Sequence, residues 1–339
     1  MSLPLSPAAR LLAALDLPVG DAHDLPPSPH RFPDGAHYRV EIPSVEGPRV
    51  LAAVIEEART RAVPIHRVSQ GSGIMLLTDN EIGEMCGMCR EARMELSLFV
   101  GPRAAWDTGA SIVSPAGRTL GAQLRGQDQV RYALDDVIRA VGLGVRSVLI
   151  ADMGLLRILD LARQAGHLPA ELIIKISVQL AAANPLAVAI LADEGATTIN
   201  VPTDLSLAHL AAIRQHCDIP LDVYVEVPDG FGGFVRHYEI PALIEAVAPV
   251  YVKFGLRNAP DIYPSGLHLE NVAILMARER VRRAELGLAL LHRHLSKVGP
   301  AVPAGHDHDA ASAGPHDAAT LTMSPVGAPD APGIPAETR

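Results

Sequence analysis

The sequence predicts a (β/α)₈ barrel of the TIM type with a polar lumen, and three observations carry that reading. Eight strand-like runs alternate with amphipathic helical runs over about 260 residues, the size of such a barrel. Several helical runs end in glycine or a short turn before the next strand, as helix C-cap chemistry requires. The strands carry charged residues on one of their two faces, and a closed barrel has an interior face in which to pair them. A doubly wound open sheet uses the same local signals, so it is the number and length of the units that favour the barrel.

The strands are expected within HYRVEIPSV (37–45), VPIHRVSQ (63–70), MELSLFVG (94–101), VRSVLIAD (145–152), ELIIKISVQ (171–179), ATTINVPT (196–203), PLDVYVEVP (220–228) and PVYVKFGLR (249–257). Helical runs such as PRVLAAVIEEARTRA, QDQVRYALDDVIRAVGLG and LAHLAAIRQHC lie between them. Residues 1–36, rich in Pro, Asp and His, read as an N-terminal extension, and 37–297 as the barrel. From 298 to 339 the chain is Pro/Gly/Ala-rich without apolar periodicity and reads as a disordered tail.

Composition bounds the function classes. The chain has 339 residues, 48% of them hydrophobic, and a net charge of −9, which gives no electrostatic reason to expect nucleic-acid binding. No run is long enough to span a membrane, and the N-terminus lacks the basic region of a signal peptide. Three cysteines, Cys86, Cys89 and Cys217, suit a reducing cytoplasm rather than a disulfide framework.

Lysine is the informative residue, because there are only three: Lys175, Lys253 and Lys297. Two of them fall inside strands. Alternation turns Val223, Val225 and Val227 outward and leaves Asp222, Tyr224 and Glu226 facing in. Likewise Val250, Val252 and Phe254 face out against Tyr251, Lys253, Gly255 and Arg257, and Ile174, Ile176 and Val178 against Lys175, Ser177 and Gln179. Strand one offers Arg39 and Glu41, strand three Glu95 and Ser97, strand six Thr198 and Asn200. The expected lumen therefore holds Glu41, Lys175, Asp222, Glu226 and Lys253. Buried charges are costly unless paired, and opposite signs on different strands make pairing available. One reading of this interior is a compensated scaffold without chemistry. The other is that its upper members meet a substrate at the C-terminal mouth, where barrels of this kind place their sites.

On the second reading Lys253, Lys175 and Glu226 are the catalytic candidates: the lysines as clamps or as an amine nucleophile, Glu226 as general acid/base. Arg257, Asn258, Gln179, Asn200, Arg103, Gln70, Asp152 and Arg236 are the substrate-binding candidates. The loop HRVSQGSG (66–73) could offer backbone N–H groups to a phosphate or carboxylate, with His66 beside it as a base, a ligand or a packed side chain. The glycine-rich VPDGFGGFVRHYE (227–239) could close over a ligand. CGMC (86–89) has metal spacing but lies in a helical pattern, and the histidines of GHDHD in the tail are incidental on the bland reading. There is no G-x-S-x-G, H-E-x-x-H or P-loop.

The segments GVRSVLIADMGLLRILDLARQAG and ISVQLAAANPLAVAILADEGATTINVPTDLSLAHLAAIRQHCDIPLDVYVEV resemble the collagenase-like peptidase family, peptidase family U32, over about 140–230. The resemblance implies a barrel catalytic domain. Some members of that family are peptidases, and others are oxygen-independent hydroxylases with an iron–sulfur cluster. Where the family pattern places cysteines after strand seven, VEVPDGFGGFVRHYE has none. No cofactor, and no iron–sulfur cluster in particular, is therefore expected, while a divalent metal is left open. The expected function is a family-type hydrolase or lyase acting on a small anionic substrate, with proteolysis unsupported by any nucleophile. The alternatives are a lysine-imine lyase or aldolase, and a non-catalytic barrel subunit. The partner is expected to be a small molecule, with a homo-oligomer or a related barrel left open, and no nucleic acid or membrane.

Overall fold

A computed structural model describes residues 6–101 and 123–298. Eight parallel strands close into a barrel in sequence order: β1 Tyr38–Pro43, β2 Arg67–Ser69, β3 Glu95–Phe99, β4 Ser147–Ile150, β5 Ile173–Ile176, β6 Thr198–Asn200, β7 Leu221–Glu226 and β8 Val250–Phe254. Each lies within its expected run and is shorter, because the ends of those runs belong to the connecting loops. The helices are α1 Pro7–Ala14, α2 Pro48–Arg61, α3 Asp79–Ala92, α4 Gly126–Gly142, α5 Met153–Gln164, α6 Pro185–Asp193, α7 Leu207–His216, α8 Ile240–Val247 and α9 Glu270–Val298.

Local chemistry explains where the helices start and stop. Thr78 and Glu81 form a reciprocal capping box on α3, and Ser206 and His209 do the same for α7. Asn184 and Asp152 cap α6 and α5 through their side chains. Pro48 and Pro185 occupy the first turns of their helices, where the missing N–H costs nothing. After α6 the chain turns through Gly195 at φ +101, where any side chain would also strike Asp160. Helices α2 and α3 instead end on Ala62 and Arg93 at positive φ.

The outward strand faces are apolar as the alternation requires. Val223, Val225, Val250, Val252, Phe254, Ile174 and Ile176 are all buried in one core with the helices. Helix α9 lies against α2, with Arg278 paired to Glu56 and Glu57 and Arg61 to Glu285 across the seam. The residues before β1 also pack on the barrel. Ser28 donates to the Ala248 carbonyl, and the Phe32 ring meets Tyr251 edge-on with centroids 5.2 Å apart. Arg39 lies over Phe32 and pairs with Asp34 at 2.9 Å. Segment 28–36 thus covers the N-terminal end of the lumen. Among the described residues no helix is long and apolar enough to cross a membrane.

Candidate functional site

Three acids and three bases meet in the lumen: Glu41, Glu95 and Asp222 with Arg67, Lys175 and Lys253. Glu41 is the hub. It pairs with Lys175, with Lys253 at 3.0 Å and with Arg67 at 3.4 Å, and it accepts from the Ser69 hydroxyl at 2.7 Å. Lys175 also pairs with Asp222 at 2.8 Å, and Thr198 donates to the same carboxylate at 2.6 Å. Arg67 reaches Glu95 at 2.8 Å and Asp222 at 3.2 Å, with its guanidinium 3.5 Å from the Tyr251 ring centroid. With its amide oriented to satisfy both neighbours, Asn200 accepts from Lys253 at 3.0 Å and donates to the Asp222 carbonyl at 3.1 Å. Lys253 lies 4.6 Å from the centroid of the Tyr224 ring.

The network is balanced in sign, which is what permits it. Glu41, Lys175 and Asp222 are wholly buried, and an unpaired charge there would be prohibitive. Burial alone would raise the Glu41 pKa, but Lys175, Lys253 and Arg67 overcome it and hold the carboxyl well below the usual range. Burial pushes the Lys175 ammonium down to about 8, against the pull of Asp222 and Glu41. Burial also lowers the Arg67 pKa, but Glu95, Tyr251, Asp222 and Glu41 together lift it well above its ordinary value.

The lumen thus brings together Lys175, Lys253, Asn200, Glu41 and Asp222 as expected from strand alternation. Glu226 is a correction. The β7–β8 register shifts between Tyr224 and Glu226, so that Tyr224 pairs with Lys253 but Glu226 pairs with Phe254, an outward residue. Glu226 therefore turns to His237 at 3.4 Å and Arg283 of α9 at 3.9 Å rather than to the lysines of the lumen. Burial raises its pKa, but His237, the Arg257 amide and Arg283 carry it below the ordinary carboxylate value. Its other contact is the Arg257 amide, from which it accepts at 3.1 Å.

The other predicted residues scatter around the mouth in supporting roles. Gln70 is closed onto Gly73, donating to its carbonyl and accepting from its amide, both at 3.1 Å. Asp152 caps α5 and accepts from the Leu124 amide at 3.1 Å. Arg236 ties the β7–α8 loop to the Leu205 carbonyl at 2.8 Å and to Glu239. Arg257 is exposed and lies 3.5 Å from Asp229, which also accepts from the Asn258 amide at 2.5 Å. Gln179 is half-buried in the turn after β5. Arg103 lies outside the described residues. His66 stands at the opposite end of the barrel, accepting from the Val40 amide at 3.0 Å. Cys86 and Cys89 are buried in α3, and among the described residues no three His, Cys, Asp or Glu side chains are grouped to hold a metal ion.

Two buried bases are not found by reading the sequence, Arg67 in the lumen and Arg280 at its mouth. Arg67 alternates with Val68 in a three-residue strand, so the signal was present but short. Arg280 sits on α9, where strand alternation says nothing. It is 3% exposed, it forms no ion pair among the described residues, and its Nε has no hydrogen-bond partner. Its one hydrogen bond goes to the carbonyl of Ser44, just beyond β1, at 3.5 Å. Burial lowers its pKa, and Tyr263, Glu46, Tyr224 and Glu226 lie within electrostatic reach and offset only part of that.

The β8–α9 loop brings Tyr263 over this corner. Its hydroxyl meets Ser44 Oγ, and its ring covers Gly71 so closely that a Cβ there would lie 2.4 Å from Cε1. Gly71→Ala is expected to destabilise the chain by about 1–3 kcal/mol, the usual range for overpacking, and to displace Tyr263. Urea denaturation together with tyrosine fluorescence would check it, and an unchanged midpoint would show that the ring moves freely.

Residues 119–227, from the chain before α4 to the end of β7, match the family model described as Peptidase family U32. The solved structure of the U32 peptidase Mk0906 aligns with a TM-score of 0.40 and 17% identity, over 69% of this chain and 98% of that one. A putative fructose-1,6-biphosphate aldolase from Coccidioides immitis aligns with a TM-score of 0.47 and 13% identity, over 76% and 93%. No curated protein matches the chain.

Proposed function

We propose that this chain, which matches the Peptidase family U32 model over residues 119–227, is an enzyme that takes a small anionic substrate at the C-terminal mouth of its barrel. One observation carries the reading. The lumen charges cancel among themselves, and Arg280 is the buried cation left over at the mouth, with an unused donor. A desolvated guanidinium without a carboxylate is costly to keep, and an oxyanion is the group that its fork of donors fits. Tyr263, Ser44 and Tyr224 add hydroxyls around it, and Lys253 with Asn200 forms the floor beneath. The deep members, Glu41, Lys175 and Asp222, hold the shape of that floor.

Peptide hydrolysis by a thiol has no support among the described residues. Cys86 and Cys217 are pushed up to about 11 by burial, and burial raises Cys89 too, so none is a ready thiolate. Three buried free cysteines fit a reducing cytoplasm.

Arg280→Met tests the reading. A thermal-shift screen of small carboxylates, phosphates and keto acids is expected to raise the wild-type melting temperature, and the variant should bind the same compounds about 10- to 100-fold more weakly, the value of one or two charge-assisted hydrogen bonds. A folded variant that binds equally well would overturn the proposal.

A lysine-imine lyase is favoured by one observation, the depression of Lys175 to about 8, since a neutral amine is the nucleophile. Borohydride reduction in the presence of a small keto acid decides it. A mass increase mapped to Lys175 or Lys253 supports imine chemistry, and an unchanged intact mass sinks it.

A further inference from the structure

The glycine-rich turn after β2 has an occupant. The amides of Gly71 and Ser72 donate to the two oxygens of one carboxylate, that of Glu46, at 2.8 and 3.0 Å. Two consecutive N–H groups aimed at one point form an anion-binding nest. Here the anion belongs to the chain itself, from the four-residue loop between β1 and α2.

The nest is held in shape by groups other than Glu46. Gln70 locks it from one side through both bonds to Gly73. Ser72, 3% exposed, accepts through its hydroxyl from the Ser265 amide at 2.7 Å, which ties it to the β8–α9 loop. Tyr263 covers Gly71. None of these three braces involves Glu46. Glu46 itself is half-buried, so a rotamer change returns its carboxylate to water. Arg280 supplies the independent sign of a ligand at the same corner: it donates to the carbonyl of Ser44 at 3.5 Å, Ser44 meets the hydroxyl of Tyr263, the ring of Tyr263 covers Gly71, and the buried Nε of Arg280 is an unused donor.

We propose that Glu46 is an internal placeholder in an oxyanion cradle formed by Gly71, Ser72 and Arg280, and that the carboxylate of a small-molecule ligand takes its place. This rests on the reading of the mouth as an anion site and adds the group recognised and its regulation. The bidentate seating of Glu46 shows which geometry the amides accept, a planar carboxylate. Because ligand binds only when Glu46 is out, the wild-type affinity is reduced by the fraction of chains with an open cradle. Glu46 thereby sets a threshold concentration, and no bond is made or broken in the exchange.

The test is chemical rescue in the full-length chain. Wild type, Glu46→Ala and Glu46→Gln are melted against rising sodium acetate, with sodium chloride at matched ionic strength as control. Glu46→Ala is expected to melt lower than wild type and to regain stability saturably with acetate, while chloride does nothing and wild type barely responds. Carboxylates that bind wild type should bind Glu46→Ala about 10-fold more tightly. Glu46→Gln, which keeps the size of the side chain and loses one good acceptor, should respond in the same direction and serves if Glu46→Ala does not fold. The proposal falls if acetate shifts the Glu46 variants no more than wild type, or if they bind carboxylates more weakly. The mouth reading fails separately, through Arg280→Met: if that substitution leaves ligand binding unchanged while acetate still rescues Glu46→Ala, the amide nest of Gly71 and Ser72 stands, but Arg280 is no part of it and the reading of Arg280 as the substrate's anchor falls.

Discussion

Glu41→Gln is expected to cost about 3–5 kcal/mol of folding stability, the range for removing one partner from a buried ion network. Glu41 is the only side chain that touches all three lumen bases, Lys175, Lys253 and Arg67, among the ion pairs described. An amide in its place leaves a net positive charge among wholly buried groups. Asp222 still pairs with Lys175 and Arg67, but Lys253 loses its carboxylate. Urea unfolding gives the measurement, with Arg278→Met at the α2–α9 seam as the control. That pair is partly exposed, so its loss should cost about 1 kcal/mol or less. Equal shifts in the two variants would mean that water reaches the lumen and screens it.

Stability should also fall steeply in acid, and Glu41 should account for much of the slope. Its folded-state pKa lies below that of a glutamate in the unfolded chain, so its contribution is fully present above the unfolded value and is lost as the pH falls through the folded pKa. The depression is worth about 1.4 kcal/mol per pH unit between the two states. Glu226, Glu57 and Asp34 are lowered in the same sense and add to the limb. Denaturant midpoints measured from neutral pH down to pH 3 should drop throughout the acid range for wild type. In Glu41→Gln the same curve should begin lower and be flatter. Parallel curves would show that Glu41 titrates alike in both states and is not the acid sensor.

The fold was legible because its signals are local and redundant. Eight apolar alternations, helix caps at Thr78, Asn184 and Ser206, and first-turn prolines all repeat one pattern. The lumen was legible where a strand keeps its pleat, and Lys175, Lys253, Glu41 and Asp222 fall where period-two counting puts them. It failed at Glu226, because a single irregular step between Tyr224 and Glu226 reverses the facing, and nothing in VYVEV marks that step. Arg280 was invisible for another reason. A helix residue reaches the mouth only through the three-dimensional course of α9 past β1, and arginine is common in this chain. Likewise the Gly-Ser-Gly turn could be read as an anion receptor, but its occupant, Glu46, is a contact between two loops that sequence distance conceals.

The segment that covers the N-terminal end of the lumen has a role beyond packing. Phe32, Ala36 and Tyr251 form an apolar cluster at that end, and the Arg39–Asp34 pair lies beside it. This cover keeps the local medium poorly polarisable, and a poorly polarisable medium is what depresses Lys175 and strengthens every pair with Glu41. Residues that belong to no strand of the barrel therefore set the dielectric of its interior, and the acid–base character of the lumen is written partly in the sequence that precedes β1.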